Sequence, residues 1–153
     1  MQKTDITKHF RKELFITDLK ATSKDQVLEE LLDCFVEEKV IKSKELALEM
    51  LKKRETLGST GIGKGIAIPH GRTTAAGEVI IAFGKSEKGI DFEAVDDKPV
   101  NLFFMVIAPP QDENNAYLPI LGSLVTTLND ADNRKKLQAV TSFEEFTAIF
   151  TGE

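Results

Sequence analysis

Six consecutive apolar residues, Leu102-Phe103-Phe104-Met105-Val106-Ile107, constrain the fold of this chain more than any other stretch. Successive side chains of an extended strand point to opposite faces, so a run apolar on both faces must be covered from both sides. Pro109-Pro110 stops the run, because the residue before a proline is restricted and proline itself lacks an N–H. A strand buried in this way needs neighbours in a sheet and a layer of helices on each side.

The flanking sequence supplies both. Ser23 and Gln26 read as a capping box ahead of Val27, Leu28, Leu31, Leu32, Phe35 and Val36, which recur at the spacing of one buried helical face. Ser43 can cap a second helix with Leu46, Ala47, Met50 and Leu51 inward, ending before Gly58. Helical spacing returns at Leu118, Leu121, Leu124, Val125 and Leu128. A short helix is expected over 134–139, then a second capping box at Ser142 and Glu145 opens a C-terminal helix. Phe15-Ile16, Ile66-Ala67-Ile68 and the stretch from Glu78 to Phe83 read as further short strands. Helices at both ends of a strand-rich middle predict an α/β sandwich with a mixed sheet. The 153 residues are expected to form one domain over 1–153 without a disulfide, since Cys34 is the single cysteine. Cys34 falls near the apolar side of the first long helix and reads as a buried, inert thiol.

Charge and composition exclude several functions. A net charge of −5 opposes general nucleic-acid affinity, which needs clustered cations against phosphates. Lys52-Lys53-Arg54 and Arg134-Lys135-Lys136 read as solvated helical faces, with Arg54 set apart below. No apolar run reaches spanning length and the first residues carry no apolar leader core, so no stable membrane insertion and a cytoplasmic location are expected. Two histidines and one cysteine are too few for a closed zinc site, and no metal or cofactor is expected. His9, in a polar stretch, reads as a surface residue.

The chemistry concentrates in Gly58-Ser59-Thr60-Gly61-Ile62-Gly63-Lys64-Gly65-Ile66-Ala67-Ile68-Pro69-His70-Gly71. Gly58 to Lys64 matches most of a Walker A pattern, but Gly65 stands where a magnesium-binding hydroxyl belongs, and a strand follows instead of a helix. The dinucleotide pattern fails at Ile66. A hydrolase with Ser59 or Thr60 as nucleophile and His70 as base lacks both the GxSxG elbow and an evident orienting acid. A loop-capping His70 is the remaining structural alternative. Phosphoryl acceptance suits the residues better: neutral imidazole has a free lone pair near pH 7, and the resulting N–P bond is labile enough to pass the group on. Gly61, Gly63 and Gly65 offer backbone N–H groups, Ser59 and Thr60 offer hydroxyls, and Arg54 a guanidinium fork for the phosphate oxygens.

Arg54-Glu55 followed by that run resembles the signature of the enzyme IIA domain of the bacterial phosphoenolpyruvate:sugar phosphotransferase system, fructose/mannitol type. The wording Gly-Ser-Thr-Gly-Ile-Gly is closest to the nitrogen-regulatory branch. The resemblance implies a phosphocarrier with a mixed sheet of about five strands flanked by helices. It implies that His70 accepts a phosphoryl group on Nε2 from HPr or its nitrogen-branch counterpart, and that Arg54 stabilises the phosphate. Sugar-specific members pass the group to an enzyme IIB, whereas nitrogen-branch members mostly regulate other proteins. The single domain and the signature favour regulation, with sugar relay as the alternative. One departure stands out: Tyr117 occupies the place of a second active-site histidine that the family usually carries.

Overall fold

The computed structural model describes residues 6–112 and 115–151. A 3-10 turn, Ile6–His9, leads into β1 (Phe10–Ile16), α1 (Lys24–Glu37) and α2 (Lys44–Thr56). Four strands follow in close succession, β2 (Gly61–Gly63), β3 (Ile66–Ala67), β4 (His70–Arg72) and β5 (Ile80–Ile90), and then β6 (Val100–Ala108). Three helices close the chain: α3 (Tyr117–Leu128), α4 (Ala131–Ala139) and α5 (Phe143–Thr151). No helix among the described residues is long and apolar enough to cross a membrane.

The sheet has six strands, one more than expected, in the order β1-β5-β6-β3-β2, with β4 also paired to β6. The all-apolar segment is the central strand. On one side β6 pairs antiparallel with β5; on the other it carries β3 and then β4, both parallel, at Ile66↔Leu102 and His70↔Val106. Its alternation divides the interior. Phe103, Met105 and Ile107 join α1 and α2 in one core, while Leu102, Phe104, Val106 and Ala108 join α3, α4 and α5 in the other. In the second core Phe146 is fully buried among the rings of Phe10, Phe15, Phe83, Phe104, Phe143 and Phe150.

Two strands outrun their expected lengths because polar residues conceal them. β1 begins at Phe10, with Arg11 to Glu13 in a stretch whose pairing register shifts before Phe15. β5 continues to Ile90 through Lys85-Ser86-Glu87-Lys88, and the Lys85 ammonium donates to the carbonyls of Gln138 (3.0 Å) and Val140 (2.5 Å) at the end of α4.

Both expected capping boxes form, with the return bond displaced by one residue. Ser23 Oγ accepts from the Gln26 N–H at 3.3 Å, but Gln26 Oε1 accepts from the Thr22 N–H and hydroxyl, each at 2.9 Å. Glu145 likewise accepts from Thr141 N–H and Oγ1. The buried face of α3 is rotated from expectation: Tyr117, Ile120, Leu124 and Leu128 point inward, while Leu118 is 67% exposed. Val36 and Leu46 are exposed too, and Cys34 is half-buried against the first core. His9 is not a plain surface residue, since its Nδ1 lies 2.9 Å from the Val79 carbonyl.

Candidate active site

His70 opens β4 at the edge of the sheet, where side chains from both helical layers can reach it. Its Nδ1 lies 2.6 Å from the Ile68 carbonyl. A carbonyl only accepts, so Nδ1 carries the proton and the lone pair of the neutral ring is on Nε2. The half-buried ring has its pKa lowered, first by burial and further by Arg54, against opposing effects of the Ile68 bond and Glu55. The neutral, nucleophilic form therefore prevails at pH 7. Gly71 faces the opposite layer, where a Cβ would overlap Met50 Sδ of α2; only glycine lets that helix seat so close beside the histidine.

Arg54 lies in the last turn of α2, a position that favours a cation. One guanidinium N–H donates to the Gly58 carbonyl at 2.9 Å, leaving others of its fork for a phosphate. Beside it stands Glu55, which the sequence reading quoted in the Arg54-Glu55 pair but gave no role. Its carboxylate accepts from the Thr60 N–H (3.0 Å), the Thr60 hydroxyl and the Lys24 ammonium (3.0 Å), and its side chain is only 7% exposed. Lys24 also lies over the Phe92 ring. A buried carboxylate with that many donors is an anchor, and it holds the turn after α2 in place.

The expected phosphate cradle is where the structure departs most from the sequence reading. Ser59 Oγ donates to the Phe92 carbonyl at 2.7 Å and accepts from the Gly61 N–H at 3.0 Å. Thr60 gives its only hydroxyl proton to Glu55. Both hydroxyls thus shape the turn and have no proton left for a phosphate. Gly61 and Gly63 are buried parts of β2. The glycines serve a hairpin: Lys64 (φ 59°) and Gly65 (φ 80°) form a two-residue turn with positive φ at both positions, and Gly63 pairs with Ile66. The register puts that tip beside Asn101 and His70 beside Val106, about 16 Å apart along the strand. At the tip the Lys64 N–H already donates to the Asp96 carboxylate at 2.9 Å. Read as a turn flanked by short β runs, Lys64-Gly65 was the available signal for this.

Tyr117 comes from the other layer. It begins α3, is 6% exposed, and its ring centroid lies 6.4 Å from that of His70. Its N–H donates to the Asp112 carboxylate at 2.8 Å, so a protein anion already occupies this helix N-terminus. The Arg72 guanidinium lies 4.7 Å from the Tyr117 ring centroid. A largely apolar cavity of about 540 Å³ adjoins the site, lined by Leu46, Met50, Leu57, Arg54, Gly71 and Arg72 among others. Among the described residues no group of three or more His, Cys, Asp or Glu side chains could hold a metal ion.

This constellation puts an oriented imidazole near an arginine at a sheet edge, and the chain that carries it is similar to known proteins. A family profile described as "Phosphoenolpyruvate-dependent sugar phosphotransferase system, EIIA 2" matches residues 8–152. The "PTS system fructose-specific EIIA component" of Haloferax volcanii is 38% identical over 137 residues, 90% of this chain and 88% of that protein. The crystal structure of nitrogen regulatory protein IIA-Ntr from Neisseria meningitidis superposes with a TM-score of 0.87 at 32% identity, covering 95% of this chain and 98% of that one. Mannitol enzyme IIA of Escherichia coli, solved in complex with phosphorylated enzyme IIB, shares the fold with a TM-score of 0.78 at 22% identity, over 94% and 99% of the two chains. With the match running through both helical layers and the whole sheet, the chain belongs to the EIIA 2 family of the phosphoenolpyruvate-dependent sugar phosphotransferase system.

Proposed function

We propose that this phosphotransferase component accepts its phosphoryl group on His70 Nε2 from an HPr-like phosphocarrier and regulates partner proteins by its phosphorylation state. The observation that carries the reading is the Nδ1–H bond to the Ile68 carbonyl, which leaves Nε2 as the nucleophile near Arg54. In the step, the Nε2 lone pair forms a bond to phosphorus as the donor's N–P bond breaks, and that bonding pair returns to the donor imidazole. No proton has to leave His70. The phosphoryl in flight is loose and its charge is spread over three equatorial oxygens, where Arg54 supplies a charge-assisted donor. Residues 1–153 act as one domain in the cytoplasm, without a cofactor and without nucleic acid.

The test is incubation with phosphoenolpyruvate, enzyme I and each candidate carrier, followed by intact mass. One phosphoryl should be gained, His70→Ala should abolish the gain, and His9→Ala should retain it. Labelling of the His70→Ala protein at the normal rate overturns the assignment. A second reading, relay to a separate enzyme IIB for sugar uptake, is favoured by the 38% identity with a fructose-specific component. Rapid loss of the phosphoryl to a fructose- or mannitol-type enzyme IIB supports relay. A labelled protein that ignores enzyme IIB but changes its affinity for a regulatory target supports the first reading.

A further inference from the structure

We propose that Arg72 is a second phosphate-binding cation of this site, held in position by the face of Tyr117 and directed at a phosphoryl group on His70. This rests on the phosphohistidine reading above and adds a residue to it. Strand alternation sets His70 and Arg72 on the same face of β4, with Gly71 on the other. Two residues of strand separate their Cα atoms by about 6.6 Å, within the span of a long side chain and a phosphoryl group. The guanidinium lies 4.7 Å from the Tyr117 ring centroid, and that ring lies 6.4 Å from the His70 ring. Tyr117 therefore touches the nucleophile's neighbourhood and the cation's at once, and its burial keeps it from moving aside.

Arg72 also has donors to spare. One N–H donates to the Pro110 carbonyl at 3.1 Å, and among the described residues no carboxylate forms an ion pair with it. Asp112 lines the same small cavity, but it accepts from the Tyr117 N–H. An exposed arginine would ordinarily wander. This one is restrained by an aromatic face, an interaction that orients a guanidinium without neutralising it. Burial raises the pKa of the Tyr117 hydroxyl while Arg72 and Arg54 oppose that rise, and the two guanidinium side chains, one from β4 and one from α2, line the same cavity beside the site. A dianionic group on Nε2 would sit between them. Arg72 would then exchange the neutral Pro110 carbonyl for charged phosphoryl oxygens, a stronger acceptor.

Single-turnover phosphorylation by the phosphorylated HPr-type carrier, over a range of carrier concentrations, tests this. Arg72→Gln should lower the rate at saturating carrier by about 10²-fold, the scale of losing one transition-state donor, with its thermal unfolding unchanged. Arg72→Lys should recover part of the loss. Tyr117→Leu, which removes the ring face, should fall toward Arg72→Gln, and Tyr117→Phe, which keeps it, should lose less of the rate than Tyr117→Leu. The 31P resonance of the phosphohistidine should move in Arg72→Gln. A wild-type saturating rate in Arg72→Gln overturns the proposal, and so does a change confined to the half-saturating carrier concentration, which would make Arg72 a docking residue. Failure of the underlying reading looks different: the wild type gains no phosphoryl, or His70→Ala still does, and the role of Arg72 falls with it.

Discussion

Burial draws the His70 pKa below its ordinary value of about 6.5, and the charges around the ring adjust it in both directions. An NMR titration of the His70 ring should therefore give a midpoint under about 6.5. Arg54→Gln should raise that midpoint by removing a cation, and Glu55→Gln should lower it by removing an anion. No change in either variant would show that neither charge reaches the imidazole. The stability consequence has a definite sign. The unfolded chain takes up this proton first, so the contribution of His70 is full above about 6.5 and is lost as pH falls toward the folded midpoint. His70 could be singled out in the sequence because a reactive group flanked by proline and glycine is a local signal; Arg54, sixteen residues before it, was set apart only by the fit of a guanidinium to phosphate and by the family resemblance. Glu55 and Arg72 were not singled out: the first matters through Lys24, thirty-one residues before it, and the second through Tyr117, which only folding brings to its face.

Elements in this protein are ended by side chains borrowed from elsewhere as well as by their own caps. Ser23 and Ser142 were readable because an N-cap and its partner lie within one turn. The C-terminus of α4 was not, since its carbonyls are met by Lys85 from β5. Lys85→Met should cost about 1.5–3 kcal/mol, the range for hydrogen bonds to a charged group, measured by urea unfolding, with no loss of phosphoryl acceptance. A cost near zero would mean that water replaces the ammonium freely. The glycine run was misread for a related reason. A phosphate cradle and a tight hairpin demand the same freedom of φ, and only the pairing of Gly63 with Ile66 tells them apart.

For the molecule as a whole, the all-apolar β6 announced two covering layers, and the sandwich follows from it. β3 was read from Ile66-Ala67-Ile68, but β2 and β4 escaped notice because each has three residues, too short to show a period. The layer holding α5 depends on Phe146 and its surrounding rings. Phe146→Ala should cost about 3–5 kcal/mol, read as an earlier unfolding midpoint. Phosphoryl acceptance well below that midpoint should be retained, because the residue lies in the core beneath and not at the edge. Loss of acceptance while the protein remains folded would tie the aromatic cluster to the site. The edge itself has another consequence. Among the described residues β4 has β6 as its only strand partner, and a bare strand edge is a template on which further copies can add and aggregate. Pro69 stands between β3 and β4 and has no N–H to offer such a copy, so the open ladder stops at three residues. The molecule can thus leave its imidazole uncovered for a partner while denying its own kind a strand long enough to polymerise on.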